Sequence, residues 1–360
     1  MHRWARATTA EEWEKKGMLM MEVDAMGGND RPADRVSRMR DTPEAGLTLA
    51  ERIVNVPLRF RRLIPEHRHL ASEPTARCRA PHLARVELAV CARKPVHFII
   101  PAFPGKSANP EKTLGALPDL GERLALQFLQ SICNEIRAIY PPGARITICS
   151  DGRVFSDLVR IKEEDVDGYK RSLFEFMETL SASSLDHFDL DDVFGREDYA
   201  VMREELLIGH GVPLRELRER VRMGETDVVN MFNGIHRFIF EDYVASINDV
   251  SRNRLRDMTK TVAYRVVQRS NAWSSLVESR FPNALRLSIH PQRSDSRKIG
   301  IMLVPSDDVW GTPWHNVVVL HDGKPVLMKR RQAEALGAEL AHAQARPSHY
   351  VLRSKEEVVQ

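Results

Sequence analysis

The stretch Val96-His-Phe-Ile-Ile-Pro-Ala-Phe-Pro-Gly-Lys-Ser107 decides the fold. Val96 to Ile100 is apolar and partly β-branched, and Pro101 stops it, which predicts a buried strand. After a loop holding Pro104, Gly105 and Pro110, the residues from Asp119 to Tyr140 carry Leu120, Leu124, Phe128, Leu129, Ile132, Ile136 and Ile139 at helical spacing, with Asp119 as the cap. Pro141-Pro-Gly143 ends that helix, and Arg145-Ile-Thr-Ile-Cys149 supplies a second strand before Ser150-Asp-Gly-Arg153 turns the chain. The result is a β-α-β unit. Its right-handed crossover makes the two strands parallel, so the loops after Ile100 and Cys149 leave the same edge of the sheet. Ligands of open α/β sheets collect at that edge. The two loops hold Lys106, Ser107, Asn109, Ser150, Asp151, Arg153, Ser156 and Asp157.

Outward from this unit the pattern is less regular. Residues 1–45 mix charges with small residues around Gly27-Gly-Asn-Asp30 and read as a poorly ordered tail. A domain is expected over 46–335, followed by a helical or extended tail over 336–360. Helices are expected from Leu47 to Arg62 and from Leu83 to Ala92. Ser156 to Ile161 and Val166 to Leu180 look helical or mixed, and Ser181 to Asp192 reads as an acidic, Ser-rich loop. Ser251 caps a long basic helix that runs to about Glu278, before Pro282. Strands are expected at Ala284–His290 and Ile299–Val304. A hairpin follows, running from Asn316–Leu320 through His321-Asp-Gly-Lys324 into Pro325–Lys329.

A chain of 360 residues can bury a large core without disulfides or metals. Its 53 Lys and Arg against 50 Asp and Glu leave a formal charge of +3, too small for wholesale nucleic-acid binding, so an anionic partner must be recognised locally. The four cysteines include no C-x-x-C pair and suit a reducing compartment. No signal sequence is read at the start, and no apolar run approaches the roughly 18 residues of a membrane span. A soluble, cytoplasmic protein is expected, with no membrane partner. His67, His69, Cys78 and His82 match no usual zinc spacing, and no metal site is expected.

Gly105-Lys106-Ser107 invites comparison with a phosphate-binding P-loop, but Ile100 stands where G-x-x-x-x-G-K-[ST] requires glycine. Pro101 and Pro104 also lack amides that a phosphate cradle would use. Lys106 remains a candidate anion contact. Asp151-Gly152 is either a simple turn or a site in which Arg153 pairs with Asp151, keeping it ionised as a base; Asp157 is an equal candidate. His290, at a strand end in Ser288-Ile-His-Pro291, reads as an acid/base group or a structural histidine, with Arg293, Arg297 and Lys298 close behind it. Thr312-Pro-Trp-His315 sets Trp314 beside His315, suited either to a desolvated pocket or to packing. On the basic helix, Arg265 and Arg269 share a face that either holds a phosphate or is simply solvated. Asn233-Gly-Ile-His-Arg237 reads as a polar turn that offers His236.

These residues in this order resemble the pyoverdine/dityrosine biosynthesis family, whose bacterial members include isocyanide (isonitrile) synthases. The resemblance rests on His97-Phe-Ile-Ile-Pro-Ala-Phe-Pro-Gly-Lys-Ser-Ala-Asn109, Pro118-Asp119, Tyr140-Pro-Pro-Gly143 and Ser150-Asp-Gly-Arg-Val-Phe-Ser-Asp157. It continues through Phe232-Asn-Gly-Ile-His-Arg-Phe238, Val267-Gln-Arg-Ser270, Leu287-Ser-Ile-His-Pro291, Lys298-Ile-Gly300 and Thr312-Pro-Trp-His315. The family resemblance implies an α/β fold: a modified Rossmann-like sheet with helices on both faces, here with a C-terminal mixed or antiparallel strand region. It implies no nicotinamide, in keeping with the absence of G-x-G-x-x-G after a strand. It further implies conversion of the α-amino group of tyrosine or tryptophan to an isonitrile, with ribulose 5-phosphate as carbon donor and no redox cofactor. An Fe(II)/2-oxoglutarate-dependent oxygenase is the implied pathway partner.

Several proton transfers and an anion clamp are needed for such a reaction. The expected roles are Lys106, Ser107 and Arg153 on phosphate or carboxylate, Asp151 and His290 on protons, and Lys298 with His315 completing the wall; Lys106 as a Schiff-base nucleophile is a lesser alternative. Ser150, Asn109, Asp157, His236, Arg265, Arg269 and Trp314 complete the set of candidate binding residues. Two other readings compete: an amino-acid N-formyltransferase of the dityrosine branch, and a non-catalytic phosphate- or RNA-binding protein built on the basic helix.

Overall fold

The structure is a computed structural model that describes residues 46–353, apart from 71–73, 196–197, 248, 307 and 309. The tail expected over 1–45 lies outside the described residues. Helices α1 (Leu49–Leu58) and α2 (Ala76–Cys91) precede β1 (Val96–Pro101), α3 (Leu120–Ile139) and β2 (Ala144–Cys149). The chain continues through α4 (Gly152–Val159), α5 (Glu163–Thr179), β3 (Leu185–Phe188) and α6 (Asp191–Phe194). A helical stretch follows: α7 (Tyr199–His210), α8 (Leu214–Arg222), α9 (Thr226–Ser246) and α10 (Arg252–Arg280). The last part comprises β4 (Leu285–Ser288), β5 (Lys298–Gly300), β6 (Val317–His321), β7 (Lys324–Met328), α11 (Arg330–Ala335), β8 (Glu339–Ala343) and β9 (Arg346–Leu352).

The first five strands form one parallel sheet in the order β3-β2-β1-β4-β5. The expected β-α-β unit is its centre, and α3 starts where its sequence says it should. Asp119 accepts from the Gly121 amide at 2.8 Å while Glu122 accepts from the Asp119 amide at 3.0 Å, a capping box that satisfies donors the first turn leaves open. Alternation along the strands sends Phe98, Ile100, Ile146 and Ile148 into a core shared with α1, α2, α3 and α5. Ile99, Cys149 and Phe188 point the other way, into a core with α4, α7 and α10. Helices on both faces are the expected α/β architecture. Strand order reverses between β1 and β4, so the loops after these strands diverge and leave a crevice at the carboxyl edge.

Four details differ from the sequence reading. Ser181–Asp192 is not all loop: Leu185 and Phe188 anchor the short edge strand β3, whose intervening Asp186 and His187 break the apolar run. Asn233–Arg237 is not a turn but the interior of α9, because Phe232, Ile235, Phe238 and Ile239 pack at helical spacing and one glycine costs a helix only about 1 kcal/mol. The strands expected after residue 284 divide between two sheets, β4 and β5 joining the parallel one. The segment set apart as a tail at 336 supplies β8 and β9. β9 inserts between β6 and β8, parallel to β6 and antiparallel to β8, giving a second, mixed sheet in the order β7-β6-β9-β8. Tyr350 of β9 is buried with Val317, Val319 and Met328.

That arrangement makes the C-terminal strands structural. Truncation after Ala335 exposes the edge of β6 and removes Tyr350 from its cluster. Thermal unfolding of the truncated chain is expected to begin at least 5 °C lower, with aggregation, since even ~1 kcal/mol shifts a midpoint by several degrees. An unchanged midpoint would make the segment a tail after all.

Candidate active site

The loops after β1 and β2 meet. Ser150 Oγ donates to the Phe103 carbonyl at 2.8 Å, and Gly152 lies so close to the neighbouring turn that a Cβ there would stand 2.2 Å from the Pro104 carbonyl oxygen. Only glycine permits this contact. Phe103 itself adopts φ 60° and packs on Trp314, with ring centroids 5.3 Å apart. The Ser107 amide donates to the Trp314 carbonyl at 2.8 Å, so the segment leading into β6 closes over the same loop.

Lys106 fills the space beneath. Its side chain is 0 % exposed, and its ammonium donates to Asp119 Oδ2 at 2.7 Å and the Pro313 carbonyl at 3.0 Å and meets Glu122 Oε2 at 2.9 Å. Burial alone would lower its pKa, but Asp119 and Glu122 outweigh this and raise it. Burial pushes Glu122 up to about 7, with Lys106 pulling the other way, and Tyr169 donates to its second oxygen at 3.2 Å. All three N–H bonds of Lys106 are therefore used internally. As a phosphate contact or nucleophile the residue is misplaced; it is a buried tie between the loop, the start of α3 and Pro313. Asp119 was legible only as a helix cap and Glu122 was not singled out, because their second task depends on a lysine from another loop.

Neighbouring candidates are tied up in a similar way. Ser107 Oγ and Asn109 Nδ2 donate to the two oxygens of Asp242 at 3.4 and 3.2 Å. Asp242 also meets Lys112 Nζ at 2.6 Å, and that ammonium lies 4.7 Å from the Phe238 ring centroid. The expected pairing of Arg153 with Asp151 is absent. Arg153 turns to Asp167 and Asp191 at 2.8 and 2.9 Å and stacks on Tyr199, because residues two apart at a helix start point to opposite sides. Asp157 receives both Arg269, through Nη2 at 3.0 Å, and Arg203 at 3.4 Å, which fastens α4 to α10 and α7. Arg265 is exposed and does not share that contact, so the two arginines form no phosphate site. His236 packs between α9 and α10 near Thr259 Oγ1 at 3.2 Å, and Trp314 is core.

A smaller set is left to face the crevice. Asp151, at the amino end of α4, has one carboxyl oxygen buried without a hydrogen-bond partner. Burial raises its pKa to about 7, against the opposing pull of Arg286. His290 follows β4 and lies 5.6 Å from Trp310 between ring centroids; the protein crowded around it, then the charges of Arg62 and Lys298, lower it to about 4. His315, 4.3 Å from the Phe238 ring centroid, has a buried Nδ1 with no partner; burial and then Lys112, Lys106 and His290 hold it well below the usual range. Asp151 and His315 are half-buried and His290 is exposed, so all three keep contact with solvent. Neighbouring charges add to the effect of burial: Arg286 lowers Asp151 and Lys298, Lys298 lowers His290, and His290 lowers His315. Arg286 was missed at the sequence level because one arginine in Leu285-Arg-Leu-Ser288 reads as the outward residue of an alternating strand. In chemical terms the recess offers a carboxyl group that changes charge near neutrality, two neutral imidazoles, and cations able to take an anion.

Replacing Lys106 with Met leaves Asp119 and Glu122 buried without their cation, at an expected cost of about 3–5 kcal/mol in urea unfolding at pH 7. In that variant Glu122, raised by burial and freed from the opposing pull of Lys106, binds its proton more tightly folded than unfolded. Its contribution is thus present at low pH and lost as pH rises, so the deficit shrinks on acidification. A deficit equal at pH 5 and pH 8 would show that the two carboxylates do not depend on Lys106.

Comparison with known proteins agrees with this architecture. The pyoverdine/dityrosine biosynthesis protein family matches residues 86–341. An L-tryptophan isonitrile synthase of Fischerella ambigua is 44% identical over 304 residues, covering 84% of this chain and 95% of the relative. An L-tyrosine isonitrile synthase of Pseudomonas aeruginosa is 41% identical over 314 residues, covering 86% and 95%. The crystal structure of the PvcA protein of Pseudomonas aeruginosa superimposes with a TM-score of 0.80 at 41% identity, over 85% of this chain and 100% of the other. Parallel sheet, crevice and an extended sequence match together establish that this chain is an enzyme of the pyoverdine/dityrosine biosynthesis family.

Proposed function

We propose that the enzyme converts the α-amino group of an aromatic amino acid, tryptophan or tyrosine, into an isonitrile, with ribulose 5-phosphate supplying the carbon. The observation that carries this reading is Asp151: a carboxyl group with an unpartnered oxygen, titrating near pH 7, at the mouth of a cation-lined crevice. The names of the relatives, tryptophan and tyrosine isonitrile synthases, supply the substrate class. The amine adds to the ketone carbon of the sugar phosphate, water leaves, and the adduct enolises before phosphate departs and both carbon–carbon bonds that flank the ketone carbon break. Each early step moves a proton at carbon, nitrogen or oxygen. Asp151, ionised above about pH 7, takes protons, and the neutral rings of His290 and His315 accept or relay them. Lys298 meets the negative charge of a substrate, while Lys106 acts at one remove by holding the loop. The scheme requires no redox cofactor. The product is a substrate for an Fe(II)/2-oxoglutarate-dependent oxygenase acting next in the pathway. No helix among the described residues is long and apolar enough to cross a membrane, and all four cysteines are free thiols, which suits a cytoplasmic enzyme drawing on the sugar-phosphate pool.

Two measurements test this. With ribulose 5-phosphate labelled with carbon-13 at C2 and a panel of amino acids, the label is expected in an isonitrile of tryptophan or tyrosine; a formamide product would assign the enzyme to N-formylation, and no transfer at all would end the synthase reading. Replacing Asp151 with Asn is expected to lower turnover by about 10²–10⁴-fold and to abolish the rise in rate through pH 7. Because the folded-state pKa of Asp151 is raised, its contribution to stability is present below the unfolded value and lost as pH rises through about 7. The Asn variant should therefore gain stability relative to the parent at pH 8 and not at pH 4. Full activity in this variant would remove Asp151 from the chemistry.

A further inference from the structure

Arg286 sits in an unusual place. It occupies β4, inside a five-stranded parallel sheet, in register with Ile99 of β1 on one side and Lys298 of β5 on the other. Registered partners point to the same face, so Arg286 and Lys298 lie side by side on the face covered by α10. Strands buried on both faces ordinarily carry apolar residues, and a buried cation is costly unless an anion or a full set of acceptors meets it.

Neither condition is fully met. The Arg286 side chain is 12% exposed, and its one hydrogen bond among the described residues runs from Nη2 to Ser274 Oγ at 3.0 Å. Nε and Nη1 are buried without partners. The ion pair of Arg286 with Glu278 is loose: that carboxylate stands 3.6 Å from Nη1 on a side chain 59% exposed to water, too distant for a hydrogen bond. Lys298 is half-buried, and its ammonium has no acceptor and no ion pair among the described residues. Arg62, the other cation near His290, is better satisfied: its two terminal nitrogens donate to the carbonyls of Ile289 at 2.8 Å and Asp308 at 3.1 Å, and only Nε lacks a partner. Two adjacent strands therefore hold two desolvated positive charges with free donors, one answered only by the water-exposed carboxylate of Glu278 and the other by no ion pair among the described residues, and Arg286 lies within electrostatic reach of Asp151, whose own oxygen lacks a partner.

We propose that Arg286 and Lys298 form the oxyanion subsite of the crevice, receiving the carboxylate or phosphate group of a substrate through the free Nε and Nη1 donors of Arg286 and the ammonium of Lys298. A planar guanidinium presents such donors to an oxyanion in pairs, and the neighbouring ammonium adds a point charge. An oxyanion bound there would stand near Asp151 but be held off it by the two cations, which orients the rest of the substrate toward the carboxyl group. The subsite rests on the proposed reaction only for the identity of its ligand: the amino acid brings a carboxylate and the sugar phosphate a phosphate ester.

The test uses the full chain with Arg286→Gln, Arg286→Lys and Lys298→Gln. Steady-state kinetics with each substrate varied in turn should show a KM rise on the order of 10²-fold in Arg286→Gln for one substrate only. A rise for the amino acid assigns the carboxylate, and a rise for ribulose 5-phosphate assigns the phosphate. Arg286→Lys, which keeps the charge but not the paired donors, should recover part of the loss. Calorimetric titration with tryptophan, tyrosine and inorganic phosphate, without turnover, should show binding to the parent that Arg286→Gln and Lys298→Gln both weaken. If isonitrile forms while both KM values stay unchanged in Arg286→Gln and Lys298→Gln, the subsite is refuted and the proposed reaction stands. If no isonitrile forms but an oxyanion binds and depends on Arg286, the subsite stands and the reaction does not. Should Arg286→Gln not fold, the same comparison in Lys298→Gln and Arg286→Lys decides: unaltered binding in both overturns the proposal.

Discussion

The buried contact of Lys106 with Asp119 and Glu122 is the constraint on which the other features of the site depend. A charged amine with no exposure survives in a protein interior only if carboxylates and carbonyls take all its protons. Meeting that condition draws three distant parts of the chain to one point: the loop after β1, the first turn of α3, and Pro313 ahead of β6. The second sheet is thereby anchored against the first. Trp314 and His315 follow Pro313 directly, so the same tie places His315 over the crevice. Two carboxylates against one ammonium also leave the cluster rich in negative charge, which is why burial can hold Glu122 near 7 while the lysine stays protonated.

A second layer of ties uses up most other charged side chains near the crevice. Arg153 belongs to Asp167 and Asp191, Arg269 to Asp157, and Lys112 to Asp242. Pairing of this kind fixes α4, α9 and α10 relative to the sheet and removes those groups from chemistry. What remains unpaired is correspondingly informative. Asp151, His315 and Arg286 each retain a buried polar atom without a partner, and the ammonium of Lys298 has no ion pair among the described residues. In a folded protein such groups carry a free-energy cost that a bound substrate can offset.

The central fold was legible because its signals are local. An apolar run ended by Pro101, a helix opened by Asp119 and closed by Pro141-Pro-Gly143, and a second apolar run ended at Ser150 each depend on neighbours within a turn or two. The edge strand β3, the helical nature of Asn233–Arg237 and the place of β9 inside the second sheet were not legible in this way. Each is stabilised by partners far along the chain: β2 for β3, α10 for α9, and β6 for β9.

The candidate site divides along the same line. Sequence by itself determined the parallel β-α-β unit and hence which edge carries the polar loops, because strand polarity follows from right-handed crossover; family membership, too, could be read from motifs in fixed order. Only the tertiary structure decided which of those polar residues are free. Lys106 and Arg153 looked like anion contacts and are neutralised, whereas Arg286 looked like an outward strand residue and is desolvated beside Lys298. The physical reason is that availability is a property of pairing, and pairing is set by side chains brought together from opposite ends of the chain.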